Sequence, residues 1–110
     1  MFKKRDIVIV RFPFTDGSDY KLRPALVLSS DKINKTGDTL IMQITSKQKS
    51  DGLSIELTDS VVVNSLPLKS YLRIHKIFII ENRFIFRKIS EVKPVPYSKI
   101  TNSLFKLIQE

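Results

Sequence analysis

Residues 71–80 read YLRIHKIFII, a run dominated by Ile, Leu and aromatic side chains. This composition is typical of a β-strand. Five further runs have the same character and lie at 6–12, 25–29, 39–45, 53–57 and 84–92. Between them, clusters rich in Gly, Asp, Asn and Ser predict turns at 15–19, 34–38 and 49–52. Six short strands separated by turns predict a mainly β fold, an antiparallel barrel or sandwich.

The end of the chain has a different periodicity. After Pro94 and Pro96, apolar residues recur at spacings of three and four, which indicates one face of a helix. They are Tyr97, Ile100, Leu104, Leu107 and Ile108, with Phe105 beside them. Pro96 fits the first turn of this helix, and Ser98 is a candidate N-cap. We therefore expect a C-terminal helix of about three to four turns that closes one end or flank of the barrel.

The composition predicts one domain over residues 1–110, with 42% hydrophobic and 27% charged residues. Nineteen Lys and Arg against eleven Asp and Glu give a net charge of +8, which favours a polyanionic partner such as nucleic acid or an acidic protein. The chain has no Cys and one His, so it offers no thiolate metal site and no all-imidazole site of its own. Without a signal peptide or a membrane-spanning run, we expect a cytoplasmic protein that needs no cofactor.

Two polar segments at strand ends are candidate phosphate-binding sites. Residues 17–24, GSDYKLRP, lead into the strand at 25–29, and Arg23 stands where its planar guanidinium can clamp a phosphate with two N–H groups. Thr45 and Ser46 follow the apolar run LIMQI, and their hydroxyls can donate to a phosphate oxygen. The alternatives are a surface arginine before a proline and an ordinary turn. The P-loop pattern GxxxxGK[ST] is absent.

The strand that opens the 71–80 run carries a third candidate site. Period-two geometry places Tyr71, Arg73 and His75 on one face, while Leu72 and Ile74 face the core. An aromatic ring beside cations suits single-stranded RNA, because bases stack on the ring and cations hold phosphates. Imidazole also exchanges protons near neutral pH, so His75 can act as an acid or a base. The alternative is a solvated strand face with an incidental histidine.

Taken in order, these motifs resemble the MazF/PemK toxins of bacterial toxin–antitoxin systems. The resemblance covers about residues 5 to 80. Its most specific part lies between residues 12 and 29, where FPFTD, GS and RPALVLS follow one another. The later matches are ITS at 44–46 and YLRIHKIF at 71–78. Arg5 departs from the pattern, since the family usually has Gly there, and we expect a surface change of little consequence.

The resemblance implies a fold, an assembly and an activity. The expected fold is an SH3-like (CcdB/PemK-type) antiparallel barrel with a C-terminal α-helix, assembled as a homodimer. The expected activity is metal-free cleavage of single-stranded mRNA at short sequence motifs, inhibited by a cognate antitoxin whose disordered, often acidic, segment lies across the toxin. The catalytic residues carried over from the family are Arg23, Thr45, Arg73 and His75. We expect substrate contacts from Ser18, Lys21, Ser46, Lys47 and Tyr71.

The expected chemistry is attack of a ribose 2′-hydroxyl on the adjacent phosphorus, which leaves a 2′,3′-cyclic phosphate and a 5′-hydroxyl. It needs a base, an acid and cations around the phosphorane. His75 is the candidate base or acid, where some relatives have Asp, and Arg23 and Arg73 are candidate charge stabilisers. Two other functions stay open at this point: a CcdB-like DNA gyrase poison without catalysis, and a catalytically inactive RNA-binding barrel.

Overall fold

The computed structural model describes residues 1–13 and 20–110. The strands are β1 (Asp6–Pro13), β2 (Tyr20–Val27), β3 (Asp38–Thr45), β4 (Ser54–Glu56), β5 (Tyr71–Glu81) and β6 (Ile85–Glu91). The helices are α1 (Asp31–Asn34) and α2 (Pro94–Gln109), and a 3-10 turn at Asn82–Phe84 links β5 to β6. All six predicted strands are present, and the sequence pattern does not predict the four-residue α1. The bounds of β2 differ from the prediction of 25–29, because β2 begins at Tyr20, inside the polar segment predicted to precede it, and ends at Val27. The turn predicted at 15–19 lies outside the described residues.

The strands form one antiparallel sheet in the order β4-β5-β3-β2-β1-β6. Its edges approach each other where Val62, after β4, bridges to Val92, after β6. The Lys93 N–H also donates to the Val61 carbonyl at 2.8 Å, so the sheet curls toward closure. The predicted mainly β antiparallel fold with a C-terminal helix is confirmed.

The middle of the sheet carries one hydrophobic cluster on each face. Ile7 of β1 belongs to one cluster, which also contains Leu72 of β5 and Ile100 of α2. Val8 and Val10 belong to the other, on the opposite face of the same strand. Because alternate side chains enter different clusters, β1 needs an almost continuous apolar sequence, as seen in DIVIV.

α2 packs on the first cluster through its N-terminal half. Ile100 is buried, and the Tyr97 hydroxyl donates to the Leu28 carbonyl at 2.9 Å. Phe105 and Ile108 are exposed, so the predicted apolar face packs only in part. The predicted N-cap at Ser98 is wrong because the helix already begins at Pro94, whose fixed φ suits a first helical residue. No helix within the described ranges is long and apolar enough to span a membrane.

Candidate functional site

A cleft opens where β2 and β3 separate. Their pairing runs only from Ala25↔Gln43 to Val27↔Ile41, whereas β2 stays paired with β1 as far as Tyr20. Arg23 and Thr45 lie just beyond the last β2–β3 pair. Two cavities adjoin this gap, and both are lined in part by Arg23 and Thr45. The two candidate phosphate-binding residues therefore lie together at the mouth of the sheet.

A bulge in β5 brings further polar side chains to the same place. Between the pairs Met42↔Ile77 and Ile44↔Leu72, β3 advances by two residues while β5 advances by five. Such a bulge bends a strand and redirects its side chains. Arg73, His75 and Lys76 lie within it and line the larger cavity. The bulge thus gives β5 access to a cleft that opens on the other side of β3.

The larger cavity has a volume of about 650 Å³ and is called here the basic cleft. Its lining residues are Phe12, Arg23, Gln43, Thr45, Lys47, Lys49, Asp51, Arg73, His75, Lys76 and Phe78. Among them are five Lys and Arg side chains and one carboxylate, so the cleft attracts anions. The four residues assigned to catalysis from the sequence, Arg23, Thr45, Arg73 and His75, all line this one cavity.

Arg73 is held in the cleft wall by Asp51. Its Nη1 donates to Asp51 Oδ1 at 2.9 Å and to Ser54 Oγ at 2.6 Å, and its Nη2 donates to Asp51 Oδ2 at 2.6 Å. The Arg73 side chain is only 7% exposed, against 43% for Asp51. The bonds from Arg73, aided by the Leu53 N–H, hold the pKa of the Asp51 carboxyl well below its usual range, and the same pairing raises the pKa of Arg73. Asp51 therefore stays ionised at neutral pH and is a poor proton acceptor.

The predicted polar face of β5 is only partly exposed. Leu72 and Ile74 are buried, as period two predicts, and His75 is exposed. Tyr71 and Arg73, however, are buried as well, so the predicted polar face turned away from the core is wrong for these two residues. Tyr71 is paired on both sides, with Thr45 of β3 and Glu56 of β4. Arg73 lies in the bulge and is covered on the β4 side, where it pairs with Ser54 and binds the Asp51 carboxylate.

The residues expected to contact substrate are divided among several places. Lys47 lines the basic cleft and its N–H donates to Thr45 Oγ1 at 3.2 Å, which leaves the Thr45 O–H able to donate. Ser46 lines the second cavity. Tyr71 and Lys21 line neither of these two cavities. Ser18 lies outside the described residues.

The second cavity, of about 550 Å³, is more apolar on one side. Leu66, Pro67 and Leu68 form that side, while Arg87 and Lys88 approach from β6. Together with the basic cleft it flanks the Arg23 and Thr45 side chains. A chain of nucleotides with one phosphate at these two residues would have room on either side.

Several residues of the basic cleft were not identified from the sequence. Gln43 interrupts the apolar run of β3 two residues before Thr45, so alternation alone places both on one face. Phe12 and Phe78 meet edge to face, with ring centroids 5.7 Å apart. In the described part of the chain, no three His, Cys, Asp or Glu side chains cluster as metal ligands would.

Comparison with known proteins identifies a family and a shared fold. The sequence model of the PemK-like, MazF-like toxins of type II toxin–antitoxin systems matches residues 3–108. A search of curated protein sequences gives no match.

Solved structures of low sequence identity share the fold over nearly their whole length. A MazE–MazF crystal structure from Deinococcus radiodurans has a TM-score of 0.81 and 20% identity, covering 98% of this chain and 96% of that chain. An endoribonuclease in complex with its cognate antitoxin, from a mycobacterial species, has a TM-score of 0.78 and 16% identity, with coverages of 99% and 96%. The Mycobacterium tuberculosis toxin MazF-mt6 has a TM-score of 0.74 and 18% identity, with coverages of 96% and 97%.

Proposed function

The chain belongs to the family of PemK-like, MazF-like toxins of type II toxin–antitoxin systems, and from this premise we propose that it is an endoribonuclease toxin. Its substrate would be single-stranded mRNA, cleaved at short sequence motifs without a metal ion. The observation that carries the proposal is the basic cleft, where Arg23, Thr45 and His75 line one anion-attracting cavity. The fold relative described as an endoribonuclease in complex with its cognate antitoxin supports the same activity.

The proposed reaction is attack of a ribose 2′-hydroxyl on the adjacent phosphorus. The O2′–P bond forms, the P–O5′ bond breaks, one proton leaves the 2′-hydroxyl and one reaches the departing 5′-oxygen. His75 is the group that exchanges a proton, because it is exposed in the cleft and an imidazole ring can accept a proton at one nitrogen and donate one from the other. The Arg23 guanidinium and the Thr45 hydroxyl stabilise the charge on the phosphorane.

Arg73 is less available for direct contact with the phosphate than the sequence suggests. Both hydrogens of its Nη1 are engaged, one by Asp51 and one by Ser54. The guanidinium charge is already balanced by the Asp51 carboxylate. Arg23, which is exposed, is therefore the stronger candidate for direct contact with the phosphate.

Neutralisation by an antitoxin and assembly as a homodimer are part of the proposal. The net charge of +8 and the basic cleft suit an acidic peptide segment that lies across the RNA site. Two of the fold relatives were crystallised with an antitoxin partner. A domain of this size buries a modest share of its surface alone, so a second copy would add stability.

The direct test is incubation of the purified protein with a long single-stranded RNA in EDTA. We expect defined fragments that carry 2′,3′-cyclic phosphate and 5′-hydroxyl ends, and we expect DNA of the same sequence to survive because it lacks the 2′-hydroxyl. RNA binding without cleavage would instead indicate an inactive RNA-binding barrel. Intact RNA together with inhibition of DNA gyrase would indicate the CcdB-like function.

A further inference from the structure

The segment that joins β3 to β4 carries two of the cations of the basic cleft. Residues 46–53 read SKQKSDGL, and Lys47 and Lys49 of this segment line the cleft. Residues 46–50 are all exposed, so little burial holds them in place. Asp51 is the only carboxylate of the segment. Its pairing with Arg73 attaches the C-terminal part of the segment to β5.

We infer that Asp51 is a positioning residue: its ion pair with Arg73 clamps the segment 46–53 against β5 and thereby holds Lys47 and Lys49 at the RNA site. The inference rests on the proposed ribonuclease function. It adds a residue that acts on substrate binding through its neighbours and does not itself touch the reacting atoms.

The hydrogen bonds around Asp51 form a continuous attachment to the sheet. Asp51 accepts from both Nη atoms of Arg73, at 2.9 and 2.6 Å, and from the Leu53 N–H at 3.1 Å. One residue on, Ser54 of β4 pairs with Arg73 of β5, and the Ile74 N–H donates to the Leu53 carbonyl at 3.0 Å. The other end of the segment is attached where the Lys47 N–H meets Thr45 Oγ1. Lys47 thus stands at one fixed point, and Lys49 lies between the two.

The burial of Arg73 favours a clamp over a phosphate ligand. Its side chain is 7% exposed, and a carboxylate already occupies two of its donors. An RNA phosphate bound there would have to displace Asp51 or place a second anion beside it. Removing the carboxylate would then free Arg73 and tighten RNA binding. In the clamp arrangement, the same change releases the lysines and weakens RNA binding. The two roles of Arg73 therefore predict changes of opposite sign in the affinity for RNA.

The test compares Asp51→Asn with wild type on a short RNA that contains one cleavage site. We expect KM to rise roughly tenfold, the low end for losing a hydrogen bond to a charged group, while kcat stays within about threefold. If two lysine contacts are lost, the slope of log K against log salt should become shallower by about 1.4. Asp51→Glu should recover part of the KM. Asp38→Asn is the control, since it removes the same charge at the opposite end of β3 and lines neither cavity.

A KM for Asp51→Asn that equals or falls below that of wild type would overturn the clamp, as would equal effects of Asp51→Asn and Asp38→Asn. If wild type does not cleave RNA, the proposed function fails, which is a separate result. Should Asp51→Asn not fold, Arg73→Lys is combined with the double change Lys47→Gln and Lys49→Gln. A clamp predicts that Arg73→Lys adds little to the lysine changes, whereas an independent phosphate ligand predicts that the fold-changes multiply.

Discussion

At the scale of single residues, the exposed imidazole of His75 is the proton-exchanging group of the proposed mechanism. Replacing it by Ala should lower the cleavage rate by about 10²- to 10⁴-fold, the range for losing a positioned acid or base. The limb of the pH–rate curve that belongs to imidazole should vanish with it. Single-turnover cleavage of one RNA between pH 5 and 9 measures both effects.

A second replacement of His75 tests whether the side chain at this position sets the pH dependence of cleavage. His75→Asp supplies a carboxyl group, which titrates at lower pH than imidazole, so any retained activity should have its limb moved toward acid. A His75→Ala variant with wild-type rate and pH dependence would make His75 an incidental face residue. The proton would then move through an arginine, a hydroxyl or water.

Arg5 shows that one departure from the family pattern has a structural cost. Its φ is +79°, in the left-handed region that favours glycine. Its Nη1 compensates in part by donating to the Val92 carbonyl at 3.0 Å, and its guanidinium lies 3.9 Å from Glu91. The expectation that this change has little consequence thus overlooked the backbone, because sequence alone did not show a positive φ at this position.

The prediction for Arg5 compares two replacements with each other. Arg5→Ala keeps the strained Cβ and loses the guanidinium contacts, whereas Arg5→Gly loses the contacts and also relieves the strain. We expect the Gly variant to be more stable than the Ala variant by about 1 kcal/mol. Urea unfolding of both variants measures the difference. An Ala variant at least as stable as the Gly variant would contradict the strain.

At the scale of elements, the attachment of the segment 46–53 to β5 should be sensitive to acid. The pKa of Asp51 is lowered in the folded protein, so its pairing with Arg73 stabilises the fold above the ordinary carboxyl pKa and is lost as pH falls through the folded value. We expect Asp51→Asn to be less stable than wild type at pH 7. This difference in unfolding free energy between wild type and Asp51→Asn should decrease progressively below about pH 4.

Urea unfolding at several pH values measures this difference, and an Arg73→Met background provides the control. In the background without the Arg73 guanidinium, the difference in unfolding free energy caused by Asp51→Asn should not shrink as the pH falls. A difference of constant size from pH 7 to pH 2.5 in the wild-type background would show that Asp51 does not contribute through its charge.

The strands also show which features of the fold could be predicted from the sequence. Runs of β-branched residues located all six strands because burial on one or both faces dictates such runs locally. The burial of Tyr71 and Arg73 could not be predicted from the sequence, since it depends on the pairing of β5 with β4 and, at Tyr71, with β3. Asp51 was taken for a turn residue for the same reason: its partner is 22 positions away. Arg23, Thr45 and His75 were placed in one site by family resemblance, and alternation alone would not have joined three strands.

At the scale of the whole molecule, the chain has a net charge of +8, and the basic cleft is lined by five cations and one carboxylate. Four of its cations are candidates for phosphate contact: Arg23, Lys47, Lys49 and Lys76. If each meets one phosphate, the affinity for single-stranded RNA should fall with salt at a log–log slope of about −3, at ~0.7 per contact. An RNA with 2′-deoxyribose at the cleavage site allows binding to be measured without turnover.

Two double variants of equal net charge test whether the salt dependence of RNA binding arises from the lysines of the cleft. Changing Lys47 and Lys49 to Gln should make the slope shallower by about 1.4, because two contacts in the cleft are lost. Changing Lys99 and Lys106 to Gln removes the same charge from the exposed side of α2 and should leave the slope unchanged. Equal slopes for both variants would mean that RNA senses the total charge of the molecule and does not bind in the cleft. A flat response in wild type would exclude electrostatic binding to phosphates altogether.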